Sequence, residues 1–462
     1  MSNSFIEYFK KIPSHESEVV VVGGGPAGIA AAIASARNGA ETLLIERYGF
    51  VGGMATAGLV GPFMTSYSLD GSEQIIKGIF DELVTRMEQA GGAIHPSKVR
   101  AGTPYSAFLV YGHDHVTPFD AEILKIVAFD MLKEAGVKLL LHTYFVDTIT
   151  ENNLIKYVVF INKSGLQAVH SKIVIDCTGD ADVAFSAGVP CRKGRDSDGL
   201  MQPVSMFFRI RNVDTKKLSE YTAAHPGERP FSKIVEEAKK KGDFPIARDA
   251  VLLFQTPKEG EALVNVSRIH NINGTNSDDL TKAEIEGRKQ VMLLINFFRK
   301  YIPGLENVEL VQIAPQIGIR ETRHIVGEYT MTQEDVLYSK EFYDVIGLNS
   351  FPIDIHSPTG VIGRFEGPKN NKYYEIPYRI LLPVKINNLL VAGRCVSATH
   401  EAAGSLRVMP PCFVTGQAAG TAAALSVKNN IPPKKLEYKE LQKTLISQNV
   451  VLPERIFHIS KM

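Results

Sequence analysis

Three glycines and one glutamate form the part of this sequence best suited to chemistry. Gly23, Gly25 and Gly28 occupy the glycine positions of the pattern G-x-G-x-x-G, and Glu46 follows 18 residues after the last of them. In this pattern the glycines allow a tight turn, close approach of the backbone to a pyrophosphate, and close helix–strand packing. An acid at the end of the next strand can accept hydrogen bonds from a ribose diol. The pattern predicts a dinucleotide site.

A second group of residues could bind or deprotonate a substrate. Asp354 and His356 are two positions apart, so on a strand both face one side, where the carboxylate can orient the imidazole. An ordinary surface pair is the alternative interpretation. Arg320 and Arg323 could bind a carboxylate or another anion. On a strand they would face opposite sides, and a salt bridge to a neighbouring glutamate is an equal alternative.

Composition and charge restrict the class of protein. The 462 residues can fill two or three domains, and the formal net charge of +1 provides no basic surface for nucleic acid. No apolar run reaches the ~18 residues of a membrane span, and residues 1–17 lack a signal-peptide core. The four cysteines form no C-x-x-C pair, so no metal site is predicted. We expect a cytoplasmic protein with a small-molecule substrate, and homo-oligomer formation stays open.

The dinucleotide motif needs an α/β unit to position it. Residues 19–22 predict a buried strand, residues 27–38 a helix of small residues, and residues 42–45 a second strand. The loop at 113–115, with two histidines around an aspartate, is predicted to be exposed. The other predicted strands are 137–141, 156–162, 166–171, 172–180 and 388–394, the last two ending in turns, and the other predicted helices are 119–135, 281–301 and 412–426.

The predicted fold is α/β, with a discontinuous Rossmann-like domain. Residues 17–188 and 378–430 form this dinucleotide-binding domain, within which residues 61–118 are an insertion. Residues 189–377 form an inserted α+β substrate or cap domain, because the pattern there changes to short strands and helices of mixed polarity. Residues 431–462 form a C-terminal extension.

Several segments carry a family resemblance. Residues 23–46, residues 174–180 (Val-Ile-Asp-Cys-Thr-Gly-Asp) and residues 389–394 (Leu-Leu-Val-Ala-Gly-Arg) resemble FAD-binding proteins of the glutathione-reductase class. Within that class they are nearest to the branch that contains fumarate reductase flavoproteins. Residues 314–329 and 388–424 resemble the bacterial family of FAD-dependent oxidoreductases with undefined substrates. The resemblance covers nearly the whole chain and implies FAD as cofactor, without specifying a reaction.

The resemblance also implies which residues contact FAD. Glu46 would bind the adenosine ribose, Val146 would meet the adenine through its backbone, and the helix starting near Cys412 would direct its amides at the flavin pyrimidine. The other residues expected at the cofactor are Gly23, Gly25, Pro26, Ala27, Gly28, Arg47, Gly53, Met54, Ala55, Thr56, Thr178, Gly179, Asp180, Gly393, Arg394 and Arg407. Covalent and non-covalent attachment both stay open.

Two departures from related classes narrow the chemistry. Aromatic-ring hydroxylases carry an Asp-Gly fingerprint and a later Gly-Asp motif, whereas this chain has Cys-Thr-Gly-Asp at 177–180 and Ala-Gly-Arg at 392–394. This difference disfavours a monooxygenase. Disulfide reductases need a close cysteine pair and a second nucleotide motif, and neither is present in the sequence. The electron acceptor is therefore expected to be oxygen, a quinone or a partner protein, unless a nicotinamide cofactor docks transiently.

Candidates for the acid or base follow from these expectations. His400 is the first, because it lies between two segments expected at the flavin, and Glu401 and Arg407 share that segment. His356 is the second, and Arg320 is the candidate anion ligand. Three functions stay open: dehydrogenation of a sugar, polyol or hydroxy acid; a flavin-dependent biosynthetic protein with a non-redox step; and a non-catalytic redox sensor.

Overall fold

The computed structural model describes residues 13–361 and 363–459. Its strands are β1 Ser14–Val22, β2 Thr42–Ile45, β3 Lys138–Leu140, β4 Tyr144–Glu151, β5 Leu154–Asn162, β6 Gly165–Asp176, β7 Cys191–Lys193, β8 Phe208–Arg211, β9 Leu253–Gln255, β10 Ala262–Val264, β11 Glu309–Ile313, β12 Arg323–Ile325, β13 Val345–Asn349, β14 Ile353–Ile355, β15 Arg364–Glu366, β16 Tyr374–Pro377 and β17 Leu389–Val391. Its helices are α1 Pro26–Arg37, α2 Ile79–Gln89, α3 Ala121–Glu134, α4 Asp182–Ser186, α5 Thr215–Ala224, α6 Ser232–Lys240, α7 Ser277–Tyr301, α8 Gln333–Leu337, α9 His400–Leu406, α10 Met409–Asn429, α11 Tyr438–Ser447 and α12 Glu454–Ile459. Within these described ranges, no helix has the length and apolar character required to cross a membrane.

The main sheet is built around β1, which lies between β2 and β6 and runs parallel to both. Strand β3 extends the sheet beside β2, and β17 pairs with the C-terminal end of β6. Strands β4, β5 and β6 add an antiparallel meander. Along β1, Val19 and Val21 enter one core and Val20 and Val22 another, because alternate side chains point to opposite faces. This arrangement confirms the predicted α/β fold.

Strand β6 differs from the prediction of two separate strands at 166–171 and 172–180. It runs without interruption over Gly165–Asp176. No turn-forming residue lies at the junction of the two predicted strands, between Ser171 and Ile173, so the chain stays extended there. The first half of β6 pairs with β5 and the second half with β17, which joins the meander to the parallel sheet.

Helices α1 and α10 pack backbone to backbone. A Cβ atom at Gly416 would lie 2.2 Å from the carbonyl oxygen of Ala27, and one at Gly420 would lie 2.1 Å from that of Ala31. Only glycine permits this approach. Because these contacts advance by four residues in the same direction on both helices, α1 and α10 are parallel and start on the same side of the sheet.

A second core lies within the inserted region. Strands β11, β8, β10 and β9 form an antiparallel sheet in that order, and helix α7 packs against it. Most buried side chains of this core come from residues 204–319. The side chain of Asn276 caps α7 by accepting hydrogen bonds from the amides of Asp278 and Asp279, each 3.0 Å long. The helix therefore begins at Ser277, earlier than predicted.

Residues 61–118 and 331–382 contribute buried side chains to the core of the main sheet. From the first segment, the rings of Phe63 and Phe80 contact Phe413 of α10, with centroids 6.1 and 5.4 Å apart. Phe80 lies on α2, a helix that the sequence patterns did not predict. The two cores divide the chain by packing, and the domain boundaries proposed from the sequence remain a prediction.

Candidate active site

One pocket lies where β1, β2, β6 and β17 end and where α1 and α10 begin. Most residues expected at the cofactor line this pocket: Gly23, Gly25, Pro26, Ala27, Glu46, Arg47, Gly53, Met54, Thr178, Gly179, Asp180, Gly393, Arg394, Arg407 and Cys412. Segments far apart in sequence meet here because parallel strands bring their carboxyl ends to one edge of the sheet.

The three motif glycines have separate structural roles. Gly23 has a φ of +99°, and a Cβ atom there would lie 2.5 Å from the carbonyl oxygen of Cys177. A Cβ at Gly28 would lie 1.8 Å from the carbonyl oxygen of Gly23. A Cβ at Gly25 would meet nothing closer than the Cα of Gly53, at 3.8 Å. Gly23 and Gly28 thus permit the packing, whereas Gly25 leaves the backbone open to a ligand, as a pyrophosphate requires.

Glu46 combines a structural role with a position in the pocket. One carboxylate oxygen accepts a hydrogen bond from the amide of Gly24 at 2.6 Å, and the other accepts one from the amide of Tyr48 at 2.9 Å. Burial raises the pKa of this carboxyl group, and the two backbone hydrogen bonds oppose that shift. Each oxygen retains further acceptor capacity. The side chain can therefore hold the glycine turn and accept hydrogen bonds from a ribose at the same time.

Arg394 fixes the turn after β6. Its guanidinium donates from Nε to the carbonyl oxygen of Gly179 at 2.8 Å and from Nη2 to the carboxylate of Asp180 at 2.6 Å. It also donates to the carbonyl oxygen of Ile319 in the inserted region at 2.5 Å. Thr322 donates to the same carboxylate at 2.8 Å. This network joins the wall of the pocket to the second core.

Other expected cofactor residues lie outside the lining. Besides Gly28, these are Ala55, Thr56 and Val146. The hydroxyl of Thr56 donates to the carbonyl oxygen of Val51 at 2.9 Å and so closes the loop after β2. The side chain of Val146 is 47% exposed on β4, while the preceding residues 143–145 line the pocket.

The start of α10 lies at the pocket, three residues earlier than the predicted helix at Cys412. Pro410 and Pro411 fit the first turn of a helix, where an N–H has no intrahelical partner. They also remove two of the amides expected to point at a flavin, leaving those of Val408 and Met409. Burial raises the pKa of the Cys412 thiol to about 12, so this cysteine stays protonated.

Asp354 and His356 both line the pocket, as their predicted strand spacing requires. His356 Nδ1 lies 3.0 Å from Nη2 of Arg268, which can only donate, so the ring proton sits on Nε2. That Nε2 is 3.4 Å from the Asp354 carboxylate. Burial lowers the pKa of His356 to about 3, and the ring is neutral. Burial alone would raise the pKa of Asp354, but His356 and Arg407 outweigh it and hold that pKa low.

The two predicted anion ligands, Arg320 and Arg323, lie in different environments. Arg320 lines the pocket, and its side chain is buried. Arg323 instead donates to the carboxylate of Asp182 at 2.8 Å and to the carbonyl oxygen of Asp180 at 2.9 Å. Arg323 is therefore a structural residue that joins β12 to the turn before α4.

His400 and Glu401 lie outside the pocket lining. The His400 ring donates from Nδ1 to the buried Glu321 carboxylate at 2.8 Å. Burial alone would raise the pKa of Glu321, but the nearby His324 ring and the hydrogen bond from His400 lower it to about 2. The catalytic roles expected of His400 and Glu401 stay predictions, and in this geometry His400 would act through Glu321.

The histidine loop at 113–115 differs from the exposed loop predicted. His115 is only 2% exposed, stacks on Tyr67 with centroids 3.9 Å apart, and contacts the carbonyl oxygen of Pro96 at 2.7 Å. Its ring holds the segment together. Among the described residues, no group of three or more His, Cys, Asp or Glu side chains is arranged to hold a metal ion.

Sequence reasoning missed the walls that the inserted region contributes. Phe207 precedes β8, Phe254 lies in β9 and Asn265 follows β10, and all three line the pocket together with Gln316 and Phe351. The first three come from neighbouring strands of the second sheet. No motif marks them, because their shared position depends on a strand order that the sequence alone does not reveal.

The residues present fit FAD. Open backbone at Gly25 suits the pyrophosphate, and the buried carboxylate of Glu46 suits the adenosine ribose. The N-terminal end of α10 suits the negative charge that develops on a reduced flavin. With a dinucleotide along the sheet, the end of the pocket lined by Arg320, Asp354 and His356 is left for a substrate.

Two solved structures of low sequence identity are among those to which the chain is similar. One is p-nitrophenol 4-monooxygenase PnpA from Pseudomonas putida, 12% identical, with a TM-score of 0.48 and coverage of 94% of this chain and 87% of that one. Another is L-proline dehydrogenase from P. horikoshii, 15% identical, with a TM-score of 0.45 and coverage of 96% of this chain and 100% of that one.

Sequence comparison gives a closer assignment. Thiamine thiazole synthase from Aeropyrum pernix is 30% identical over 185 residues, which are 37% of this chain and 58% of that protein. The chain therefore spans little more than half the length of this relative. The family described as FAD dependent oxidoreductase matches residues 18–445. The chain belongs to this family.

Proposed function

We propose that this enzyme dehydrogenates a small polar metabolite, such as a sugar, polyol or hydroxy acid. One observation carries the proposal: the pocket that contains the dinucleotide turn is also lined by the partly buried Asp354–His356 pair. The finer resemblance to the fumarate reductase branch belongs to the same proposal and is supported by the sequence patterns at 23–46, 174–180 and 389–394.

Oxidation of an alcohol carbon releases a hydride from carbon and a proton from oxygen. Bound FAD supplies the hydride acceptor. We assign the proton to Asp354, whose carboxylate lines the pocket in its charged form. The Nε2–H of His356 faces this carboxylate, and Arg268 fixes the tautomer from the other side of the ring. His356 thus orients the proton acceptor, since its own lone pair is already engaged.

The electron acceptor and the assembly state belong to the proposal as well. Oxygen, a quinone or a partner protein remain the acceptor classes, because the sequence carries a single G-x-G-x-x-G fingerprint associated with a strand. A cytoplasmic location and homo-oligomer formation stay predictions from the sequence.

Anaerobic titration of the FAD-loaded enzyme with a panel of sugars, polyols and hydroxy acids tests the proposal. We expect at least one of these compounds to bleach the visible flavin absorbance. Dithionite serves as the control that the bound flavin is reducible. Bleaching by dithionite alone would contradict the proposal and favour a flavin-dependent biosynthetic protein with a non-redox step.

A further inference from the structure

Four arginines converge on the substrate end of the pocket. Arg320 and Arg407 line it directly. Arg268 contacts the His356 ring, and Arg248 donates to the backbone of Asn265, a residue that also lines the pocket. All four are largely buried, with Arg248 4% and Arg268 7% exposed. Guanidinium groups of this density in a protein interior require compensating negative charge.

Neutral groups satisfy the innermost arginines. Arg320 donates to the carbonyl oxygen of Pro203 at 2.7 Å, to the hydroxyl of Ser205 at 2.9 Å and to the side-chain oxygen of Asn265 at 3.4 Å. Arg248 donates to the backbone carbonyl of the same asparagine at 2.7 Å. These hydrogen bonds orient the two guanidinium groups without neutralising them.

The nearby carboxylates are too few to balance the cluster. Asp354 accepts from Arg407 at 3.1 Å, and Glu321 is engaged by two histidines. Asp249 is bound to Arg229 at 2.5 Å. Four buried guanidinium groups thus face two carboxylates, which leaves an excess of about two positive charges at the end of the pocket.

The cluster also retains unused hydrogen-bonding capacity. In the described part of the chain, the Nε atoms of Arg407 and Arg248 are buried without a hydrogen-bond partner. Burial, reinforced by the like charges of its neighbours, lowers the pKa of Arg320. The same causes lower the pKa of Arg248 to about 9. Both findings indicate a site strained by positive charge that an anionic ligand would relieve.

Three aromatic rings enclose the same end of the pocket. Phe207, Phe254 and Phe351 line it, and each is no more than 4% exposed. Rings of this kind offer no hydrogen bonds to the hydroxyl groups of a sugar or polyol. They favour an apolar body attached to the charged group.

We infer that the substrate is a carboxylic acid with an apolar body, its carboxylate bound by Arg320 and Arg407 and its body enclosed by the three phenylalanines. The inference rests on the proposed function and selects its acid members, the hydroxy acids, over sugars and polyols. A bound carboxylate would also offset the arginine charge near Asp354 and so increase the proton affinity of that side chain. Binding of the correct substrate thereby prepares the proton acceptor.

Pairs of an acid and its amide test this inference. The compounds chosen have no alcohol carbon, so the enzyme cannot dehydrogenate them there. We would titrate the FAD-loaded enzyme with phenylacetate and phenylacetamide, and with isobutyrate and isobutyramide, at constant ionic strength, and follow the flavin difference spectrum. We expect the acid of at least one pair to bind ~30-fold more tightly than its amide, as hydrogen bonds to charged groups imply. Equal affinity of the acid and its amide in both pairs would overturn the inference. This test uses only the wild-type enzyme.

Variants locate the anion site. Arg320→Gln is expected to weaken binding of the preferred acid ~30-fold and to leave the amide unchanged. Arg211→Gln is the matched control, because Arg211 lies on β8 of the second sheet and pairs with Glu309 at the surface. If Arg320→Gln does not fold, Arg320→Lys takes its place, since it retains charge but loses the planar geometry, and it is expected to weaken the acid selectively.

The outcomes separate this inference from the proposed function. A change in flavin reduction potential without any change in acid affinity would assign Arg320 to the reduced flavin and overturn the inference. Selective acid binding with no metabolite able to bleach the flavin would overturn the proposed function alone. Bleaching by polyols, together with no preference for the acids, would overturn the inference alone.

Discussion

At the scale of single residues, Glu46 and His356 are each held by two partners, and those partners define what the side chain can do. Glu46 accepts hydrogen bonds from two backbone amides and still lines the pocket. The His356 ring lies between Arg268 and Asp354. The first arrangement concerns cofactor retention and the second concerns chemistry, so substitutions at the two positions should have different consequences.

Replacing Glu46 with alanine should weaken FAD binding. The change removes a buried acceptor for the ribose and also frees the amides of Gly24 and Tyr48, at a cost of ~1–3 kcal/mol. The ratio of flavin to protein after gel filtration, with the dissociation constant from flavin fluorescence, measures the effect. Glu41→Ala is the control, because Glu41 pairs with Lys138 at the surface. Equal FAD affinity in both variants would contradict the assignment of Glu46 to the ribose.

Replacing His356 with asparagine should slow anaerobic flavin reduction ~100-fold and leave the flavin spectrum unchanged, because proton transfer loses its orienting partner. His400→Asn should have a smaller effect, since His400 lies behind Glu321. Stopped-flow reduction by a substrate that bleaches the wild type measures both rates. Wild-type rates in His356→Asn would exclude this ring and transfer attention to Arg320 and Glu401.

The pH profile provides an independent check on His356. Burial lowers the pKa of the ring to about 3, below the value of ~6.5 for a free imidazole. The neutral ring therefore persists as the pH falls, and the rate of reduction should show no acidic limb near pH ~6.5. Such a limb, lost in His356→Asn, would mean that the ring titrates in the working enzyme.

At the scale of elements, the sequence predicted those helices and strands whose pattern lies within one short segment, and it failed where an element depends on distant packing partners. The turn from β1 to α1, and strand β2, could be predicted because their glycines and β-branched residues are contiguous. Strand β6 was divided wrongly, and α2 was missed because its apolar side chains only acquire a partner in α3 and α10. The early start of α10 was missed because two prolines resemble a helix end unless they occupy the first turn.

The glycine turn gives a prediction at this scale. Gly28→Ala should lower the free energy of unfolding by about 1–3 kcal/mol, because its Cβ would overlap the carbonyl oxygen of Gly23. Gly25→Ala should leave folding of the apoprotein unchanged but weaken FAD binding, because its Cβ enters open pocket space. Urea unfolding of both apoproteins and FAD titration separate the effects. Equal stability of the two variants would contradict the distinct roles assigned to these glycines.

At the scale of the whole molecule, one pocket joins two hydrophobic cores. The main sheet supplies the dinucleotide turn, and the inserted region supplies the aromatic wall and three of the four arginines. Arg248, Arg268, Arg320 and Arg407 are far apart in sequence and follow no motif. Their convergence follows from the packing of the two cores, so only Arg320 and Arg407 could be singled out beforehand.

Electron flow gives a prediction for the molecule as a whole. NADH and NADPH should reduce the bound flavin slowly, because the chain carries one dinucleotide fingerprint and FAD occupies it. Stopped-flow reduction by each nucleotide at physiological concentration measures this, with dithionite as the positive control. Reduction by either nucleotide within a catalytic turnover would contradict the proposal that a metabolite is the electron donor.

The most direct test of the central claim is a single-turnover experiment under anaerobic conditions. The FAD-loaded enzyme is mixed with one equivalent of a hydroxy acid that has an apolar side chain, and flavin bleaching and product are measured together. We predict that each flavin reduced is matched by one molecule of the corresponding oxo acid. Bleaching without oxo acid, or no bleaching by any hydroxy acid while dithionite reduces the flavin, would contradict it.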